Sequence, residues 1–150
     1  VGEVNVVEAM KQHSAVIGGE GNGGVIYPEL HYGRDALIGV ALFLSHLAHR
    51  SIPASELRRS YPDYHMSKNK IQLPDGFDVD GLLVKVKKHF AAQKVTDIDG
   101  VKVDFGHEWL NMRKSNTEPI IRIYSESTSS VKAASLAAEA IETLKKLAGL

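Results

Sequence analysis

The chain has 150 residues and no cysteine, and its 18 Lys and Arg are balanced by 18 Asp and Glu to a formal net charge of zero. With 43% hydrophobic residues, that describes an ordinary globular chain of one domain, or of one small domain plus part of another. It excludes disulfides, thiolate catalysis and cysteine-held metals, and it leaves no cationic surplus for capturing nucleic acid or an anionic membrane. The longest apolar run, ALIGVALFLSHLAH, is too short and interrupted to span a bilayer. No basic n-region marks a secretory signal, and the absence of cysteine fits a reducing, cytoplasmic setting. It begins at Val1, inside sequence that is already patterned, and this reads as a fragment of a longer protein.

VVEAMKQ (6–12) places Val6, Val7 and Met10 at helical spacing, and SAVIGG (14–19) reads as a short buried strand ending in glycine. GVIYPE (24–29) is a second short strand, stopped by Pro28, which cannot donate to a ladder. From Asp35 to about His49 the pattern becomes a helix that is apolar nearly all round, the kind normally buried on more than one side. This first piece therefore wants more partners than the chain supplies. IPASELRRSYPDY (52–64) has two prolines and no strong apolar period, and reads as a linker.

HMSKNKIQL (65–73) alternates like a strand, and Pro74, Asp75 and Gly76 turn the chain. A helix follows from Asp78 to about Ala92, with Val79, Leu82, Leu83, Val86 and Phe90 on one stripe. KVTDIDGVKVDF (94–105) predicts a hairpin, because two β-branched runs flank Asp99-Gly100, a dipeptide that tolerates positive φ. EWLNMRK and PIIRIYSE are two more strands. TSS (128–130) caps a last helix whose Val131, Ala134, Ala138, Ile141 and Leu144 are expected to face the sheet. Strands followed by a helix, twice, predict an α+β domain over roughly 65–150, an antiparallel sheet covered by two helices.

Two loops carry the chemistry. In GGEGNGG (18–24), Gly19, Gly21 and Gly24 match the spacing G-x-G-x-x-G. A dinucleotide site needs a helix directly after those glycines to meet the pyrophosphate. Here VIYPE follows instead, and no G-K-[ST] ending makes a P-loop. What remains is Glu20 and Asn22 on a glycine frame: a carboxylate that accepts, and an amide that donates and accepts. That pair suits adjacent sugar hydroxyls; the alternative is a solvated turn.

The second loop, R-K-S-N-T-E-P (113–119), contains a capping-box match in Ser115 and Glu118, but Pro119 and the alternating IIRIYS open a strand. Arg113, Ser115, Asn116 and Thr117 therefore sit on a polar loop between strands, with a planar fork and neutral donors suited to one phosphate monoester. The alternative is a plain polar hairpin loop. Asp97 and Asp99 lack the other ligands of a calcium loop and read as a hairpin turn. His46 and His49 lie one helical turn apart without an acidic partner, so they mark an amphipathic helix end and not a metal site. Trp109 reads as core or strand-face packing. Ser14 and Ser45 have no acid–base partners in sequence, so no nucleophilic triad can be argued.

Taken together, GGEGNGGVIYPELHYGRDALIGVAL and DGVKVDF…WLNMRKSNTEPIIRIYSES resemble the C-terminal part of the α-D-phosphohexomutases, the phosphoglucomutase, phosphomannomutase and phosphoglucosamine mutase enzymes. In that family four domains surround one cleft. The first supplies a phosphoserine, the second a Mg²⁺ site, the third a sugar-recognition loop of the type G-E-x-S-G, and the fourth a phosphate-binding loop. The resemblance implies that residues 1–51 are the end of the α/β third domain and 52–64 a linker. Residues 65–150 would be the fourth domain, an α+β fold like the TATA-box-binding protein. Glu20 and Asn22 would hold sugar hydroxyls, with Asn22 where the family commonly has serine and Gly24 where many members carry histidine. Arg113, Ser115, Asn116 and Thr117 would grip the phosphate that is not transferred.

The implied reaction is that of an isomerase, an intramolecular phosphotransferase. It exchanges phosphate between C1 and C6 of a hexose or hexosamine through a phosphoserine and a sugar bisphosphate, with Mg²⁺ as cofactor. Neither a T-x-S-H-N serine loop nor a D-x-D-x-D-R metal loop occurs in these residues. The chain alone is therefore expected to contain no catalytic or metal-binding residue, to be inactive as a mutase, and to depend on N-terminal domains of the same polypeptide. The rival expectation is a stand-alone, non-catalytic sugar-phosphate binding module.

Overall fold

The computed structural model describes residues 2–115 and 117–150, which divide into two compact units at Tyr61/Pro62. Each is described by itself.

The first unit opens with helix α1 (Glu3–His13). Its Met10 is buried and lies directly where a side chain on Gly18 would have to go, so the helix rests on the start of the glycine loop. Three short antiparallel strands follow: β1 (Gly18–Gly19), β2 (Val25–Tyr27) and β3 (His31–Arg34), in the order β1-β2-β3. The strand expected over 14–19 is thus reduced to its two glycines, because only they find ladder partners, Gly18 with Ile26 and Gly19 with Val25. Val16 and Ile17 are exposed, not buried. The strand β3 has no alternating signature in the sequence; β2 recruits it by pairing Ile26 with Arg34 and Tyr27 with His31.

Helix α2 (Ala36–Arg50) begins where its sequence predicts. The Asp35 carboxylate caps it, accepting from the Leu37 and Ile38 amides and occupying donors that have no partner inside the helix. Its apolar surface is only partly covered: Gly39 lies against Val25 of β2, yet none of its residues is fully buried, and Leu37, Val40, Phe43 and Leu44 are exposed. The stretch expected to be linker contains a short helix, α3 (Ala54–Arg59). Pro53 stands at its N-cap, where the missing N–H of proline costs nothing, and Leu57 is buried.

The second unit is an antiparallel five-stranded sheet in the order β4-β8-β7-β6-β5, with two helices packed on it. Its strands are β4 (His65–Gln72), β5 (Lys94–Thr96), β6 (Val101–Asp104), β7 (Trp109–Lys114) and β8 (Ile120–Ser127). The helices are α4 (Val79–His89) and α5 (Ser130–Ala148). Residues of period two in the strands, Ile71, Val101, Val103, Leu110, Met112, Ile121 and Ile123, meet Val79, Leu82 and Val86 of α4 and Ala140 and Leu144 of α5 in one core. This is the α+β layer expected from the sequence.

The buried stripe of α5 is Ala133, Ala137, Ala140 and Leu144, with Ile141 partly buried. Val131, Ala134 and Ala138, expected to face the sheet, point outward instead. The true stripe is displaced by about one residue, and small side chains bring the helix backbone close enough for Ser125 Oγ to donate to the Ala133 carbonyl at 2.7 Å. Among the described residues no helix is long and apolar enough to cross a membrane.

Candidate functional site

In the first unit, Glu20, Gly21, Asn22 and Gly23 form a tight turn. The Gly23 amide donates to the Glu20 carbonyl at 3.0 Å and the Glu20 amide to the Gly24 carbonyl at 3.2 Å. Gly23 has φ +91°, a conformation that a side chain would strain. A strand, and no helix, follows the loop, so the dinucleotide arrangement is absent here. The turn brings the two expected side chains together. Asn22 Nδ2 donates to Glu20 Oε2 at 3.2 Å, Asn22 Oδ1 accepts from the Gly24 amide at 2.9 Å, and Glu20 Oε1 accepts from the Gly2 amide at 2.8 Å.

Glu20 is half-buried and Asn22 exposed. Each carboxylate oxygen keeps lone-pair capacity and the amide keeps a second N–H. Beside it lies an open cleft of about 730 Å³ lined by Asn22, Gly23, Gly24, Arg34 and Asp35, among others. Arg34 Nε bonds Glu3 Oε2 at 2.8 Å, and the Arg34 stem runs past Gly24, whose missing side chain makes the room. Asp35 is held below the usual carboxylate range, first by the Ile38 amide, with Leu37 and His31 adding to it. Tyr27 hydrogen-bonds Glu29 at 2.7 Å, and that bond raises its phenol above the ordinary value.

In the second unit, Arg113 ends the β7 row that lies on the sheet face away from α4 and α5. The register decides this: β8 alternates buried Ile121, Ile123 and Ser125 with half-buried Arg122, Tyr124 and Glu126. Arg113 is paired with Arg122, Asn111 with Tyr124 and Trp109 with Glu126. Two guanidinium groups therefore start from directly opposed positions on neighbouring strands. Arg122 is not among the residues that the sequence singles out. Its period-two spacing from Tyr124 gives the face, but only the strand register brings it opposite Arg113.

Arg113 is half-buried and its Nη1 meets Asp99 Oδ2 at 3.4 Å. Its Nε is buried without a hydrogen-bond partner. Arg122 is 3.8 Å from Glu118. Beyond Arg113 the loop is closed by the Ser115 amide donating to the Ile120 carbonyl at 3.1 Å. No helix forms at Thr117–Pro119, as the strand context requires. Ser115 is buried; its hydroxyl lies 3.5 Å from Thr117 Oγ1, and the Thr117 amide points at it from the same distance. Ser115 and Thr117 are thus brought together, two and four residues beyond Arg113 in the chain. Asn116, the fourth member of that set, lies outside the described residues.

The remaining candidates take structural parts. Asp97 is bound to Lys87, and that hydrogen bond holds its carboxyl below the usual range. Trp109 is strand-face packing, its Nε1 donating to Glu126 at 2.8 Å with Lys102 Nζ over its ring at 5.2 Å. Among the described residues no group of three or more His, Asp or Glu converges to hold a metal ion. No residue here is assigned to Mg²⁺.

Two family models match the chain in succession: the phosphoglucomutase/phosphomannomutase alpha/beta/alpha domain III over residues 1–64, and the C-terminal domain of the same family over residues 70–143. The chain belongs to the phosphoglucomutase/phosphomannomutase family. It is 35% identical over 149 residues to the phosphoglucosamine/phosphogalactosamine mutase of Sulfurisphaera tokodaii, covering 98% of this chain and 32% of that one. It is 36% identical over 135 residues to a phosphoglucomutase/phosphomannomutase of Thermococcus kodakarensis, covering 89% and 29%. A solved phosphoglucomutase/phosphomannomutase family protein from Burkholderia thailandensis matches the fold with a TM-score of 0.75 at 26% identity, covering 98% of this chain and 31% of that one. Relative to these members of the phosphoglucomutase/phosphomannomutase family, the chain spans about a third of the length.

Proposed function

We propose that the chain is the substrate-reading C-terminal part of a phosphohexomutase acting on a hexose or hexosamine phosphate. Residues 1–51 are the end of the third domain, 52–64 the connection and 65–150 the fourth domain. Glu20 and Asn22 accept and donate to sugar hydroxyls; Arg113, Ser115, Asn116 and Thr117 hold the phosphate that is not being transferred, with Arg122 adding a second cation. The observation that carries the reading is the Arg113–Arg122 pair at the foot of the Ser115–Pro119 loop. Like charges directly opposed across strands destabilise a sheet, and a dianionic phosphate between them turns that repulsion into attraction.

The chemical step belongs to domains N-terminal to this chain. There a phosphoserine gives its phosphoryl group to one sugar hydroxyl, and after the bisphosphorylated sugar turns round, the other phosphate returns to serine. Mg²⁺ supplies charge stabilisation in that part of the polypeptide. What this chain adds is positioning, on which phosphoryl transfer depends: one loop holds the ring and the other holds the spare phosphate in either orientation.

The test is a coupled mutase assay on the complete polypeptide carrying Glu20→Gln or Arg113→Ala, beside the same assay on this chain alone. Raised KM in both variants and no turnover by the chain are expected. Turnover by residues 1–150 unaided, or an unchanged KM in both variants, would overturn the reading.

A further inference from the structure

The hairpin tip at Asp99 and Gly100 is fastened to β7 at three points around Arg113. The Asp99 carboxylate meets Arg113 Nη1 at 3.4 Å, with both side chains about three-quarters withdrawn from solvent (24% and 25% exposed). The Asp99 carbonyl accepts from Asn111 Nδ2 at 3.3 Å. Asn111 is itself buried and shares a sheet face with Arg113 two residues on. Gly100, at φ +73°, lies against the β7 backbone so closely that an added Cβ would come within 2.7 Å of Arg113 Cα.

A flexible hairpin would need none of this. An arginine facing another arginine swings away from it unless something holds it, and a freely rotating guanidinium loses much conformational entropy on binding an anion. Asp99 faces Arg113 from the side opposite Arg122, since β6 and its tip flank β7 on one edge and β8 on the other. One carboxylate there engages Nη1, one donor nitrogen of a five-donor fork, so it orients the guanidinium without using up its donors.

We infer that Asp99 is a positioning residue for Arg113, fixing the guanidinium fork in its phosphate-ready orientation from the tip of the β5–β6 hairpin. This rests on the reading of Arg113 as a phosphate ligand.

A double-mutant cycle on this chain tests it, with inorganic phosphate as the probe and NMR titration as the readout. Asp99→Ala should weaken phosphate binding by roughly fivefold to tenfold, the scale of a lost half-buried charge pair, and should loosen the Arg113 Nε–H signal. In an Arg113→Ala background the same substitution should change phosphate binding by less than about a factor of two, because its effect passes through Arg113. Equal weakening in both backgrounds, or none in the first, would sink the role of Asp99 while Arg113 remained a ligand. Phosphate binding unmoved by Arg113→Ala itself would sink the phosphate reading and this inference with it. If the alanine variant fails to fold, Asp99→Asn, which keeps the shape and removes the charge, takes its place in the cycle, and the same weakening, confined to the Arg113 background, is required of it.

Discussion

Arg113 and Arg122 face each other in register across β7 and β8, and each has a carboxylate beside it, Asp99 at 3.4 Å and Glu118 at 3.8 Å, while Lys70 of β4 is paired with Arg122 on its other edge. Under the proposed function the pair is an anion site with carboxylates beside it, so a chain of zero net charge can still gather positive charge at one loop.

Arg113→Ala in the complete enzyme is expected to weaken substrate binding by about 1.5–3 kcal/mol, the scale of a lost charge-assisted hydrogen bond. The loss should appear in KM and in the affinity for inorganic phosphate. Unchanged substrate affinity would remove Arg113 from the site.

Arg122→Ala should act with opposite signs on fold and ligand. Removing the middle one of three opposed cations, Arg113, Arg122 and Lys70, leaves stability without phosphate unchanged or slightly improved, while the stabilisation gained on adding phosphate shrinks. Melting curves with and without phosphate measure both, and a loss of stability in phosphate-free buffer would count against the opposed-charge account.

Gly100→Ala puts a side chain at φ +73° and against the backbone of Met112 and Arg113. Strain at such a position costs on the order of 1–3 kcal/mol, so urea unfolding should report a loss of that size.

The two faces of α5 can be told apart by inserting bulk. Ala137→Leu enlarges a buried contact (2% exposed) and is expected to cost about 1–3 kcal/mol. Ala138→Leu points outward and should fall within about 0.5 kcal/mol of the parent. Denaturation midpoints that rank the two in reverse would restore the face expected from sequence.

Asp35 gives a pH dependence. Its carboxyl is depressed in the fold, chiefly by the Ile38 amide, so its capping contribution is complete at every pH above the unfolded carboxylate range. It is lost as pH falls through the lower, folded value. Amide exchange at Leu37 and Ile38 should therefore quicken below that range, relative to amides in mid-helix, and show no matching change between pH 6 and 8.

The second unit is largely legible in the sequence because its signals agree: alternating strands, a stripe on α4 and an Asp-Gly turn. The α5 face is not, because alanines at 133, 134, 137, 138 and 140 make the helix nearly as apolar on one side as on the next. Close approach to Ser125 chooses between them, and that is a tertiary fact. SAVIGG misleads because an apolar run does not say where its ladder partners are. Both polar loops can be read as constellations, but the place of Arg122 cannot, since register across strands separated by a loop has no local signature. The fastening of Arg113 by a turn fourteen residues earlier is hidden for the same reason.

The bare apolar surface of α2 has a practical side. Leu37, Val40 and Leu44 are more than half exposed on a chain whose charges cancel at neutral pH, so neither burial nor electrostatic repulsion keeps separate molecules apart. Colloidal stability should be poorest near pH 7 and improve a few pH units to either side, and a preparation handled at neutral pH would precipitate without having unfolded.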